Sequence, residues 1–130
     1  MKIAIFCAFD TSATIEYALA AISYLEKKGH RLDLDNRLIE YISKPIDHTQ
    51  FNASGTIDSD IDFLFSIGGD GTLLRSITFV KDSKIPILGI NTGRLGFLTS
   101  LQKETLNEAL DEFFDKKFKL VERSLLSVSL

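Results

Sequence analysis

Phe63-Leu64-Phe65-Ser66-Ile67-Gly68-Gly69-Asp70-Gly71-Thr72-Leu73-Leu74-Arg75 is an apolar run that breaks into three glycines around one aspartate and then resumes at helical spacing. Continuous apolar character from Phe63 to Ile67 predicts a strand buried on both faces, and Leu73, Leu74, Ile77 and Val80 predict the apolar stripe of a helix. The loop between them then lies at a strand's carboxyl end. Glycines there permit positive φ and close backbone approach, while the free N–H groups of the following helix offer an anion site. A phosphate group fits such a place.

Outward from this loop the same alternation repeats. Lys2 to Cys7 predicts a buried strand, followed by a helix whose face is Ile15, Ala18, Leu19, Ile22 and Leu25, with Thr11 or Ser12 as N-cap and Gly29 as its end. His30 to Asp35 predicts a second strand, Asn36 to Ile42 a short helix, and Ser43 to Asp62 a polar loop. Ile85 to Ile90 is a further buried strand, with Pro86 tolerated near its beginning, and it runs into a second glycine loop, Asn91-Thr92-Gly93-Arg94-Leu95-Gly96-Phe97. Leu106, Ala109, Leu110 and Phe113 then mark an amphipathic helix before a strand at Phe118 to Val121. Sustained strand–helix alternation predicts an α/β fold: a parallel sheet with helices on both faces.

The chain has 130 residues, 45% hydrophobic and 25% charged, which suits one domain with a substantial core. A net charge of −3 gives no footprint for nucleic acid or an anionic membrane. No apolar run approaches the ~20 residues of a membrane span, so the expectation is a cytoplasmic protein. Cys7 is the one cysteine; it predicts a small buried hydrophobe and excludes both a disulfide framework and a Cys/His zinc cluster. The Asp58-Ser59-Asp60-Ile61-Asp62 run lacks the glycine and terminal glutamate of a calcium loop. It reads as a solvated approach to the next strand, and His48 as an ordinary loop residue.

Two glycine loops on consecutive strands can face one crevice, because ligands in open α/β sheets bind outside the carboxyl ends of the strands. Gly68 to Thr72 is neither a Walker A loop, since no Lys-Ser/Thr follows, nor a G-x-G-x-x-G fingerprint. Asp70 stands among N–H donors, where a site for phosphate alone gains nothing from an anion. It can accept a hydroxyl proton, as the catalytic aspartate of protein kinases does, or simply form an Asp-Gly turn. Arg75 can reach the crevice or be a solvated helix residue, and Phe97 can stack on a base or fill the core.

Gly68-Gly69-Asp70-Gly71-Thr72 followed by Asn91-Thr92-Gly93-Arg94-Leu95-Gly96-Phe97-Leu98 resembles the N-terminal domain of NAD kinases. The second motif is the more specific, since the first is shared with diacylglycerol and sphingosine kinases and 6-phosphofructokinases. The resemblance implies phosphoryl transfer from ATP, or inorganic polyphosphate in some members, to the 2′-hydroxyl of the adenosine ribose of NAD, with a divalent cation such as Mg²⁺. It implies Asp70 as proton acceptor, Asp70 and Gly71 as an NAD-contacting pair, Arg75 as a further cofactor-binding position and Phe97 near the adenine. Gly68, Gly69, Thr72, Asn91, Thr92, Gly93 and Gly96 complete the expected cofactor-binding set, and none is expected to ligate the metal. The expected partners are NAD and the phosphoryl donor, with a homo-oligomer and no nucleic acid or membrane. A lipid or sugar kinase, or a non-catalytic nucleotide-binding module, is the alternative.

Leu126-Ser127-Val128-Ser129-Leu130 alternates strictly, unlike the continuous apolar strands before it. It predicts a strand with one wet face. Residues 1–123 are therefore expected to form the α/β domain and residues 124–130 to begin a C-terminal β-rich domain, which in the resembled family supplies an Asn-Glu or Asn-Asp pair. The 130-residue chain alone is expected to fold without turning NAD over.

Overall fold

A computed structural model describes residues 1–9, 11–92, 99–115 and 126–129. Strand β1 (Lys2–Cys7) lies at the centre of the sheet, with β2 (Arg31–Asp35) and β3 (Thr49–Phe51) on one side and β4 (Phe63–Gly68), β5 (Ile87–Asn91) and β6 (Leu126–Ser129) on the other. The order is β3-β2-β1-β4-β5-β6. β1 to β5 pair in parallel, and β6 joins β5 antiparallel, with Ile90 opposite Leu126.

Alternate residues of β1 face opposite layers, as the strand period of two requires. Ile3, Ile5 and Cys7 enter one apolar cluster with helix α1 (Ser12–Lys27) and helix α3 (Ser100–Asp115), whereas Ala4 and Phe6 enter a second cluster with helix α2 (Asp70–Val80). Helices thus cover both faces, as the alternating pattern predicts. Handedness explains the division: the crossover from β1 to β2 and the one from β4 to β5 run in opposite directions along the sheet, so right-handed crossovers put α1 and α2 on opposite faces.

Local chemistry sets the helix ends. The Thr11 hydroxyl accepts from the Thr14 N–H at 3.2 Å and caps α1, and Gly29 takes φ +80° just beyond its end. In α3 the buried residues are Leu106, Ala109, Leu110 and Phe113. These are the residues that the helical spacing predicts.

Three expectations need correction. Between Ser43 and Asp62, predicted as loop throughout, the segment Thr49–Phe51 adds β3 to the sheet edge, fastened by the Thr49 hydroxyl donating to the buried Asp33 carboxylate at 2.6 Å. Three residues, two of them exposed, are too few to show a period. The segment Asn36–Tyr41 forms as a 3-10 helix rather than a regular one, with Asp35 capping it. Helix α2 forms, and of its predicted stripe Val80 is buried and Leu73 packs partly on the core, but Leu74 is 66% and Ile77 42% exposed, and Thr72, Ser76 and Phe79 are buried instead. The strand predicted at Phe118 to Val121 lies outside the described residues.

Candidate active site

Crossovers diverge between β1 and β4, so the carboxyl ends of these two neighbouring strands flank the switch point where open α/β sheets take ligands. The Gly68 to Thr72 loop leaves β4 there. Gly68 has φ +154°, and a Cβ at this position would stand 2.5 Å from Thr72 Oγ1 and 3.0 Å from the Ala8 Cβ. Only glycine lets the chain turn this tightly over Thr72. Gly69 is the N-cap of α2, and a Cβ there would meet nothing within 4 Å. That backbone faces open space.

The first bond of the α2 ladder runs from the Leu73 N–H to the Gly69 carbonyl, and no side chain caps the helix. The N–H groups of Asp70, Gly71 and Thr72 precede the ladder, which makes this end an anion-seeking one. Asp70, the first helical residue, is exposed and carries its carboxylate beside these donors. Arg75 leans back from one turn along: its Nη2 donates to Thr72 Oγ1 at 3.2 Å, and its Nη1 is 3.7 Å from where a Gly71 Cβ would be. The guanidinium lies beside the loop.

The second loop begins against the first. Register pairs Gly68 with Asn91, and the Thr92 N–H donates to the Gly68 carbonyl at 3.0 Å. Thr92 Oγ1 is also 2.8 Å from Thr14 Oγ1, which lies 3.0 Å from Thr11 Oγ1, so a chain of hydroxyls ties the start of both loops to the first turn of α1. Ser66, Gly68, Asp70, Leu73 and Asn91 border a cavity of about 40 Å³ between the loops. It has room for a few waters or a phosphate oxygen, so a nucleotide would have to lie on the open surface above it. Gly68, Gly69, Asp70, Gly71, Thr72, Arg75, Asn91 and Thr92 are therefore brought to one edge of the sheet. Gly93, Gly96 and Phe97 lie outside the described residues.

Thr14 escaped sequence reading because a hydroxyl in the first turn of a helix is ordinary, and its partner is distant in sequence. Ser66 and Ser76 were hidden in the same way: Ser76 Oγ lies 2.7 Å from Ser66 Oγ and 2.9 Å from the Thr72 carbonyl oxygen, pinning α2 to β4. The remaining chemistry-bearing residues have structural partners. Cys7 is buried in the core, and His48 Nδ1 is 2.6 Å from the Ile46 carbonyl oxygen. Asp60 pairs with the largely buried Lys2 ammonium at 3.2 Å, and Asp62 accepts from the Lys2 N–H at 2.8 Å.

Among the described residues no group of three His, Cys, Asp or Glu side chains converges. Among the described residues bordering the small cavity, Asp70 is the single acid, too few protein ligands for a dedicated cation cage. Among the described residues no helix is long and apolar enough to cross a membrane.

The family model described as ATP-NAD kinase N-terminal domain matches residues 3–118. A protein of Christiangramia forsetii named NAD kinase is 36% identical over 132 residues, covering 98% of this chain and 45% of the relative. One from Cytophaga hutchinsonii with the same name is 39% identical over 118 residues (88% and 40%), and one from Methanothermobacter thermautotrophicus is 34% identical over 128 (98% and 44%). The chain spans somewhat less than half the length of these relatives.

Proposed function

Because the chain belongs to the family of ATP-NAD kinase N-terminal domains, we propose that it forms the loop-bearing part of an enzyme that transfers a phosphoryl group from ATP or inorganic polyphosphate to the 2′-hydroxyl of the adenosine ribose of NAD, giving NADP. One observation carries the reading: an exposed carboxylate, Asp70, stands at the uncapped N-terminus of α2, beside N–H donors that suit phosphate.

Phosphoryl transfer needs little covalent help from the protein and much alignment and charge neutralisation. The N–H groups of Asp70 to Thr72 and the Arg75 guanidinium would hold phosphate oxygens. Asp70 would orient the 2′-hydroxyl and take its proton as the bond to phosphorus forms. Asn91 and Thr92, with Gly93, Gly96 and Phe97 beyond them, would line the nucleoside side. A divalent cation held by the phosphate oxygens would neutralise their charge and leave Asp70 to act as the base. The reading extends to a cytoplasmic homo-oligomer and to residues 124–130 as the approach to a β-rich domain; the greater length of the relatives supports only that more chain belongs to such an enzyme.

In a full-length chain carrying this domain, Asp70→Asn is expected to lower kcat for NAD phosphorylation by ~10² or more while NAD affinity stays within a few-fold. Steady-state kinetics with NAD titration decides it. Wild-type turnover in the variant would remove Asp70 as the base, absence of phosphoryl transfer in the unsubstituted protein would reduce the site to a binding module, and turnover of diacylglycerol or fructose 6-phosphate in place of NAD would move the enzyme to a neighbouring kinase class.

A further inference from the structure

On the flank of α2 turned away from β5, a cleft of about 560 Å³ opens between that helix and the segments following β2 and β3. Its lining includes Phe6, Arg37, Ser54, Leu74, Arg75 and Lys81, with no acidic residue among the described ones. Acids outnumber bases in this chain, 18 to 15, so three cations around one cleft are a local concentration. We propose that this cleft binds a linear chain of condensed phosphates, whether the tail of a nucleoside triphosphate or free polyphosphate, leading up to the Gly69 to Thr72 loop. The inference rests on the kinase reading for the identity of that chain as the phosphoryl donor, and it adds Arg37 and Lys81 to the residues that hold it.

Each cation is placed by something specific. Arg37 leaves β2 at the sheet's carboxyl edge, with Nε 3.0 Å and Nη2 2.6 Å from the oxygens of Asp35, which is fully buried, and its guanidinium carbon lies 4.5 Å from the Phe9 ring centroid. Asp35 offsets its charge but holds the planar fork in one orientation, with half of the side chain still exposed. Arg75 belongs to both regions, reaching Thr72 and Gly71 on the loop while lining the cleft. Lys81 follows the helix with φ +46° and ψ −123°, a conformation that a residue with a side chain adopts only under strain. A glycine would sit there without that strain, and the chain has a lysine.

Arg75 and Lys81 are six residues apart, about 9 Å along the helix axis. A single phosphate at the α2 N-terminus would not need that second cation, but several linked phosphates extend toward it. Phe6 and Leu74 supply low-polarity walls that strengthen the attraction.

The test titrates the 130-residue chain with inorganic tripolyphosphate by calorimetry at low salt, with thermal melting on the same samples. Wild type is expected to bind saturably and to weaken as salt rises. Lys81→Gly removes the charge and relieves the positive φ, so its affinity should fall five-fold or more while its melting temperature holds or rises. Arg75→Gln should weaken binding similarly. Absence of saturable binding in wild type, or unchanged affinity in Lys81→Gly, overturns the proposal. ATP is titrated in parallel: loss in the same proportion assigns the cleft to nucleotide tails as well, and unmoved ATP affinity confines it to free condensed phosphate. The kinase reading fails separately. If the unsubstituted full-length protein does not phosphorylate NAD, that reading falls while the tripolyphosphate result stands; NAD turnover in a protein that does not bind tripolyphosphate sinks the cleft alone.

Discussion

Helices α2 and α3 were both legible as helices, yet α3 buries the whole face its apolar spacing predicts and α2 only Val80 and part of Leu73. In α3, Leu106, Ala109, Leu110 and Phe113 are at most 5% exposed. Helix α2 is rotated so that Thr72 and Ser76 point inward and Leu74 and Ile77 outward. The difference lies in what fixes each helix. Apolar burial orients α3 on the sheet. α2 is gripped at its start by the Gly68 turn over Thr72 and one turn later by the hydroxyl contact of Ser76 with Ser66. A helix whose N-terminus is held in place by a tight loop takes its rotation from that loop, and its apolar stripe accommodates. Where a tight loop fixes a helix end, hydrophobic periodicity predicts the helix better than its facing.

The contrast can be broken from the α3 side. Phe113 is fully buried, and its ring meets Phe63 and Phe65 edge-on at 5.1 and 6.1 Å. Phe113→Ala is expected to destabilise by about 3–5 kcal/mol, read by urea unfolding; a loss below about 1 kcal/mol would mean that α3 is not held by this packing.

From the α2 side, Gly68→Ala adds a Cβ into Thr72 at a positive φ, and strain plus overpacking predict a loss of about 2–4 kcal/mol. Gly69→Ala is the control. Its Cβ enters open space at φ −98°, so stability should stay within about 0.5 kcal/mol of wild type, while nucleotide affinity falls because the backbone's approach to ligand is blocked. Equal losses of stability in the two variants would show that the loop as a whole is merely structural.

Leu74→Gln sharpens the point about facing. A side chain 66% exposed contributes little to the core, and the substitution should change stability by no more than about 0.5 kcal/mol. A drop of 2 kcal/mol in the same unfolding assay would restore the facing that the apolar spacing predicts.

The smallest effect is a pH dependence on the α3 side. The His30 ring stacks on Phe114 at 4.7 Å, and burial first, then the N-terminal ammonium 3.5 Å from Nδ1, lower its pKa from the usual value of about 6.5. A lowered pKa means that the unfolded chain binds the proton more readily. This contribution to stability is therefore complete above pH 6.5 and is lost as pH falls through the folded value. Melting temperatures taken from pH 7.5 downward should decline less steeply in His30→Gln than in wild type; identical slopes would remove His30 from the account.

Period and punctuation were enough to find β1, β2, β4, β5, α1 and α3, the parallel α/β class and the glycine loop after β4, because a strand buried on both faces must be apolar throughout and a helix end must satisfy its backbone groups locally. Thr11 and Gly29 do this for α1. The chain by itself therefore determined the order of those elements and the chemistry that the first glycine loop can offer. Only the tertiary structure decided the rotation of α2, the addition of β3, the meeting of Thr14 with Thr92 and the gathering of Arg37, Arg75 and Lys81 around one cleft. Each of these joins residues far apart in the chain, or sets competing contacts of one element against each other, and their relative strengths exist only once the sheet has brought them together.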